Sequence, residues 1–212
     1  MLSSAQLEAA LRIAGVVVPV AAYFLILGLL NSRRHPQLLS GRWDFALLIA
    51  ALSPLFLLPA LSWVGASPVG ALAAAGALAG GAMLLAPKRR TWVVYNLPAA
   101  QARHVVERAL ASLGVTAEPD DAGLRLEGER AVVRIGGFPL LQNVLVKLQG
   151  GSEEFARRFE AALSRTLAGV NTEASPAAAA FLLVATAMLV APLTLIAHRA
   201  PEIVRILTDL LN

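Results

Sequence analysis

The chain has 212 residues, 57% hydrophobic and only 15% charged, with a mean hydropathy of +0.66, no cysteine and a net charge of +4. Soluble domains carry about 25% charged residues, so this composition excludes an ordinary soluble globule and a disordered chain, and the lack of cysteine excludes a disulfide scaffold or a thiolate site. The missing charge is concentrated: residues 13–30, 45–61, 69–86 and 177–197 hold no Asp, Glu, Lys, Arg or His, and each window approaches the roughly 20 residues that carry a helix across a bilayer.

The first window predicts a span that starts after a Ser3-x-x-Gln6 capping pattern. Its basic residues follow the apolar stretch, which is the reverse of a cleaved signal peptide. Arg33, Arg34, His35 and Arg42 make the next loop basic. The second span carries Pro54 and Pro59, and the uncharged connector 62–68 predicts a tight antiparallel hairpin with Trp63 at headgroup level. The third span is almost wholly Ala, Gly and Leu. Gly76 and Gly80 have Gly-x-x-x-Gly spacing, and Ala73, Ala77 and Gly81 extend the small surface. Small residues let helix backbones approach closely in lipid. The expectation is packing inside the chain's own bundle, with contact to another subunit as the alternative.

Lys88, Arg89 and Arg90 close the third span. With Arg33 and Arg34 they set orientation by the preference of Arg and Lys for the cytoplasmic side. The expected topology has both termini outside and the region between spans three and four in the cytoplasm of a bacterial inner membrane. The Arg-rich, Ala/Leu/Gly/Val-biased composition points to a bacterial source.

Residues 88–175 read as a separate α+β domain. Residues 91–97 form a β-rich run before Pro98. Ala102, Val105, Val106, Ala109, Leu110 and Leu113 recur at helical spacing, with Gly114 as the stop. A short strand is expected at 115–118, a hairpin from 124–127 and 130–135 around Gly128-Glu129, and a strand at 143–149 with Val144, Val146 and Leu148 inward. Gly136-Gly137-Phe138-Pro139 reads as a connecting turn, lacking the pattern of a phosphate or dinucleotide loop. Ser152 caps a second helix with Glu153 and Glu154 in its first turn, and Phe155, Phe159, Ala162, Leu163 and Thr166 form its buried stripe. Two helices on one small antiparallel sheet make a ferredoxin-like arrangement the nearest common fold.

The fourth span, within 176–199, begins after Pro176 and holds Pro192. Beyond it, residues 200–212 predict a separate amphipathic helix opening at Pro201. Ile203, Ile206, Leu207, Leu210 and Leu211 line its apolar side, set to lie on the membrane surface or on a partner. The expected domains are therefore 1–87 (three spans and the basic loop), 88–175, 176–199 and 200–212.

Site chemistry is sparse. His35, His104 and His198 stand apart, and no span holds a histidine to ligate haem. Asp120-Asp121 suits a turn and Glu153-Glu154 a helix start, neither spaced as a calcium loop. The domain's 12 basic and 10 acidic residues are mixed, unlike a nucleic-acid face. Span interiors offer only Tyr23, Ser53, Thr186 and Thr194 as polar groups. No catalytic residue, cofactor, metal, nucleic acid or small-molecule substrate is expected. The apolar run Phe138, Leu140 and Leu141 is either core filling or a contact surface. These features fit a non-catalytic accessory subunit of a multi-subunit membrane complex, whose partners are other membrane subunits and the bilayer. A small permease or channel, or a membrane-tethered sensor binding a metabolite through the α+β domain, is the alternative.

Overall fold

The computed structural model describes residues 4–64, 67–88, 90–120, 123–138 and 141–211. In chain order the elements are α1 (Ser4–Asn31), β1 (Gln37–Ser40), α2 (Gly41–Val64), α3 (Pro68–Leu85), β2 (Thr91–Tyr95), α4 (Ala99–Ala111), β3 (Ala117–Asp120), β4 (Gly123–Leu126), β5 (Ala131–Phe138), β6 (Asn143–Gly150), α5 (Glu153–Ala168) and α6 (Pro176–Leu211).

Helices α1, α2, α3 and α6 each contain a stretch long and apolar enough to cross a membrane. Three of their hydroxyls bond a carbonyl of their own helix, which is how such groups are accommodated in an apolar helix. Ser53 Oγ donates to Ala50 O at 2.9 Å, Thr186 Oγ1 to Leu182 O at 2.8 Å and Thr194 Oγ1 to Val190 O at 2.9 Å. One helix, α6, covers both the fourth span and the segment expected as a separate terminal helix. The sequence between them has no glycine or other stop signal, so Pro201 removes a donor without ending the helix.

Two compact units emerge. The helical unit comprises α1 up to Leu25, Leu48–Leu84, and α6 from Phe181. Within it, the rings of Phe24 and Phe181 stack with centroids 5.8 Å apart.

The second unit, Ile26–Leu47 with Leu85–Ala180, is built on a six-stranded antiparallel sheet in the order β1-β2-β6-β5-β4-β3. Its expected limits of 88–175 omitted β1, which comes from the loop between the first two spans. Pro36 disposes the preceding backbone to be extended, and Leu38 then pairs with Val94 and joins the core. The connectivity after β2 is one helix, four strands in a meander, then a second helix. That is the element order read from the sequence; a ferredoxin-like chain would return to a helix after two strands, so the arrangement is an antiparallel sheet with two helices without that connectivity.

The core lies between the sheet and α4 and α5. It gathers Trp92, Val94, Val105, Val106, Leu110, Val133, Val144, Phe155, Phe159 and Leu163. Trp92 meets Phe159 edge-on at 5.7 Å, and Phe155 stacks on Phe159 at 6.3 Å. The helical stripes read from the sequence face this core, save Thr166 and Leu113, which are only partly buried. Ser152 Oγ caps α5 by accepting from Phe155 N at 3.0 Å. Gly136 and Gly137 lie inside β5, opposite Leu145 and Val144, rather than in a turn. A side chain at Gly137 would put its Cβ 2.6 Å from Asn143 O, so the close strand pairing there depends on glycine.

Candidate functional site

Most of the residues expected to carry packing on α3 are left uncovered by the described residues. Ala73, Gly76, Ala77 and Gly80 are exposed and Gly81 half-buried. A Cβ at Gly76, Gly80 or Gly81 would meet nothing within 4 Å. The partly covered side of α3 is instead Ala71, Ala74, Leu78, Gly81 and Ala82, at helical spacing. The Gly-x-x-x-Gly pair is thus left open among the described residues, while a neighbouring stripe, small apart from Leu78 and sharing Gly81, is partly covered.

Phe138 is 71% exposed at the end of β5, Leu141 is half-buried, and Leu140 lies outside the described residues. Ile203, Ile206, Leu207, Leu210 and Leu211 are on α6, but their side chains lie outside the described ones. Of the basic residues, Arg33 and Arg34 follow α1, Lys88 and Arg90 follow α3, and Arg89 lies outside the described residues.

The most organised polar cluster was not anticipated from the sequence. It forms where α1 ends, where β2 turns into α4, and where the chain approaches α6. Asn31 and Asn96 are both fully buried. Asn31 Nδ2 donates to Leu27 O at 2.9 Å, and Asn31 Oδ1 accepts from Asn96 N at 3.3 Å. The amide of Asn96 faces Arg33 O at 2.8 Å, Thr172 Oγ1 at 2.9 Å and Glu173 O at 3.0 Å. Two of these are carbonyl oxygens that only accept, so the Asn96 nitrogen must point toward them. Its Oδ1 is buried with no partner among the described residues.

Asn96 sits at φ 57°, a left-handed conformation that asparagine tolerates better than most residues. The surrounding backbone closes the cluster. Thr172 N donates to Arg34 O at 2.8 Å and Ser175 N to Asn31 O at 3.1 Å. His35 Nδ1 lies 3.1 Å from Val170 O, which makes Nδ1 the protonated nitrogen. A second tie lies one residue earlier, where Tyr95 Oη donates to Asp44 in the first turn of α2. Nearby, Gly41 at the start of α2 lies so close to Thr91 that a Cβ would sit 3.1 Å from Thr91 O.

This arrangement fixes positions. Around Asn31 and Asn96 its members are amides, carbonyls and a threonine hydroxyl, with the His35 imidazole and the Tyr95–Asp44 pair at its edges. It holds the domain-side ends of α1, α2 and α6 to one strand end. The sequence signal was weak: Asn31 ends an apolar span, and Asn96 precedes Leu97-Pro98. No protein-family model, no curated protein and no solved structure matches the chain.

Proposed function

We propose that this protein is a non-catalytic accessory subunit of a larger bacterial inner-membrane assembly, with its sheet domain in the cytoplasm and both termini outside. The observation that carries the reading is the face Ala73, Gly76, Ala77 and Gly80 of α3, which the chain's own helices leave open. Lipid tails fill such a face poorly, and a second helix fills it well, because association in a bilayer depends on close backbone approach. Exposed Phe138 at the far end of β5 adds an apolar contact on the domain. The asparagine cluster supports the same reading, since it spends buried polar groups on rigid positioning. The basic residues beside the spans, Arg33, Arg34, Lys88 and Arg90, support the orientation.

A photo-crosslinker placed at Ala77 in cell membranes tests this. The expected product is a covalent adduct with another membrane protein, and mild extraction should yield a species well above 22.2 kDa plus its detergent. Changing Gly76 and Gly80 together to leucine should abolish both. Crosslinks to lipid alone, with a dispersed single chain after mild extraction, would overturn the reading.

A further inference from the structure

A small cleft opens beside the start of α2, with a volume of about 170 Å³. That is the room of roughly five or six waters at about 30 Å³ each. Arg42, Lys88, Arg90 and Arg157 line it, together with Glu153 and Glu160. Arg90 is already committed. Its Nη1 donates to Gly150 O at 2.6 Å and Gly151 O at 2.8 Å, and its Nη2 pairs with Glu153 at 3.0 Å. Arg42, Lys88 and Arg157 form no ion pair among the described residues. Three available cations therefore face one carboxylate, Glu160. The hydroxyl of Ser40, also on the wall, caps α2 by accepting from Trp43 N at 3.3 Å, so the positive end of that helix adds to the field.

The position of the cleft selects the anion. Arg42 is the second residue of an apolar span, and Lys88 follows the last residue of another, Leu85, by three positions. Trp43 beside Arg42 is 70% exposed, as a tryptophan at the membrane–water boundary is. The phosphates of a bilayer lie at that level. We infer that the cleft formed by Arg42, Lys88 and Arg157 binds the phosphate of an anionic phospholipid headgroup. The three cations hold the phosphate oxygens, and the acyl chains remain in the bilayer. Basic pockets beside span ends are a recurrent form of lipid recognition. This inference needs the spans but not the accessory-subunit reading, and the two fail separately.

The test uses the full chain in mild detergent, titrated with phosphatidylglycerol or phosphatidylcholine, with bound lipid counted by native mass spectrometry. Near an anionic surface each cation contributes roughly fivefold, so three contribute on the order of a hundredfold. Phosphatidylglycerol is expected to bind at least tenfold more tightly than phosphatidylcholine. The variant Arg42→Gln/Lys88→Gln/Arg157→Gln should lose that preference. Arg103→Gln/Arg108→Gln/Arg125→Gln removes the same charge from α4 and β4 and should keep it. Arg157→Gln alone, on the exposed side of α5, should weaken phosphatidylglycerol several-fold with an unchanged melting temperature. Retained preference in the cleft variant, or equal loss in the control, would overturn the inference. Displacement of the lipid by millimolar inorganic phosphate would overturn the assignment to lipid and leave a free-phosphate site.

Discussion

The Asn96 cluster makes a graded prediction that distinguishes its hydrogen bonds from its backbone conformation. Changing Asn96 to glycine keeps the φ of 57° free of strain but removes the amide that faces Arg33 O, Thr172 Oγ1 and Glu173 O. Thr172 can turn its hydroxyl to donate elsewhere, and Arg34 O lies 3.3 Å from it. The two carbonyls are left, and an unsatisfied buried acceptor costs about 1–3 kcal/mol. A loss of about 1–3 kcal/mol follows if one of them finds water, and about 2–6 kcal/mol if neither does. Alanine adds the left-handed penalty of about 1–2 kcal/mol. Aspartate keeps shape and conformation but points a carboxylate at two carbonyl oxygens. Its neutral form has an O–H to donate, so the folded state holds the proton more tightly than the unfolded chain does. The aspartate variant should therefore be most stable in acid and lose stability as pH rises from the ordinary carboxylate range toward neutrality. At pH 7 the expected order is wild type, glycine, alanine, aspartate. Amide hydrogen exchange of the β2 peptide in detergent reads it, since every 1.4 kcal/mol is tenfold in the opening equilibrium. Alanine and aspartate variants exchanging like wild type would refute the assignment of the amide. Glycine falling below alanine would refute the conformational term.

Other expectations follow from the same domain. Gly123→Ala should destabilise by 2 kcal/mol or more, in the order-of-magnitude sense of about 2–4, because its Cβ runs into Val133 O; Gly136→Ala, one residue beyond Ile135 with open space around it, should change thermal unfolding little. Phe159→Ala removes a ring that touches both Trp92 and Phe155, and should cost about 3–5 kcal/mol, seen as loss of the buried Trp92 fluorescence signature. Tyr95→Phe deletes the bond to Asp44 and should cost about 1–3 kcal/mol by the same unfolding measurement. By contrast, Gly76→Leu/Gly80→Leu should leave the melting temperature of the isolated chain unchanged within a degree or two, in line with the about 0.5 kcal/mol expected of an uncovered position.

What the sequence made legible was set by periodicity and by the clustering of charge. Four uncharged windows correspond to the stretches of α1, α2, α3 and α6 that are long and apolar enough to cross a membrane, since oil and water leave few ways to place some eighteen apolar residues in a row. The stripes of α4 and α5 were visible because one solvent-facing and one buried side impose a 3.6-residue repeat. Less visible was β1, four residues inside a basic connector, whose strand character comes from Val93 and Val94 more than fifty positions away. The asparagine cluster was hidden for a related reason. Asn31 and Asn96 are lone polar residues in sequence, and the partners that join them into a cluster come from 63 to 77 positions along the chain. The inner and outer sides of α3 could not be told apart, because alanine and glycine occupy both and leave no contrast to read.

The pairing of Leu38 with Val94 also constrains how the chain is threaded. Hydrogen bonds between two strands require both in one compartment, so whatever separates residue 40 from residue 91 must leave and come back. Helices α2 and α3, each long and apolar enough to cross, would do that as two passages; one or three would tear the sheet. On the proposed topology the ladder adds a constraint that the flanking cations do not, because it can zip shut only after the return passage. A variant that flipped one helix would announce itself as a domain missing its outermost strand.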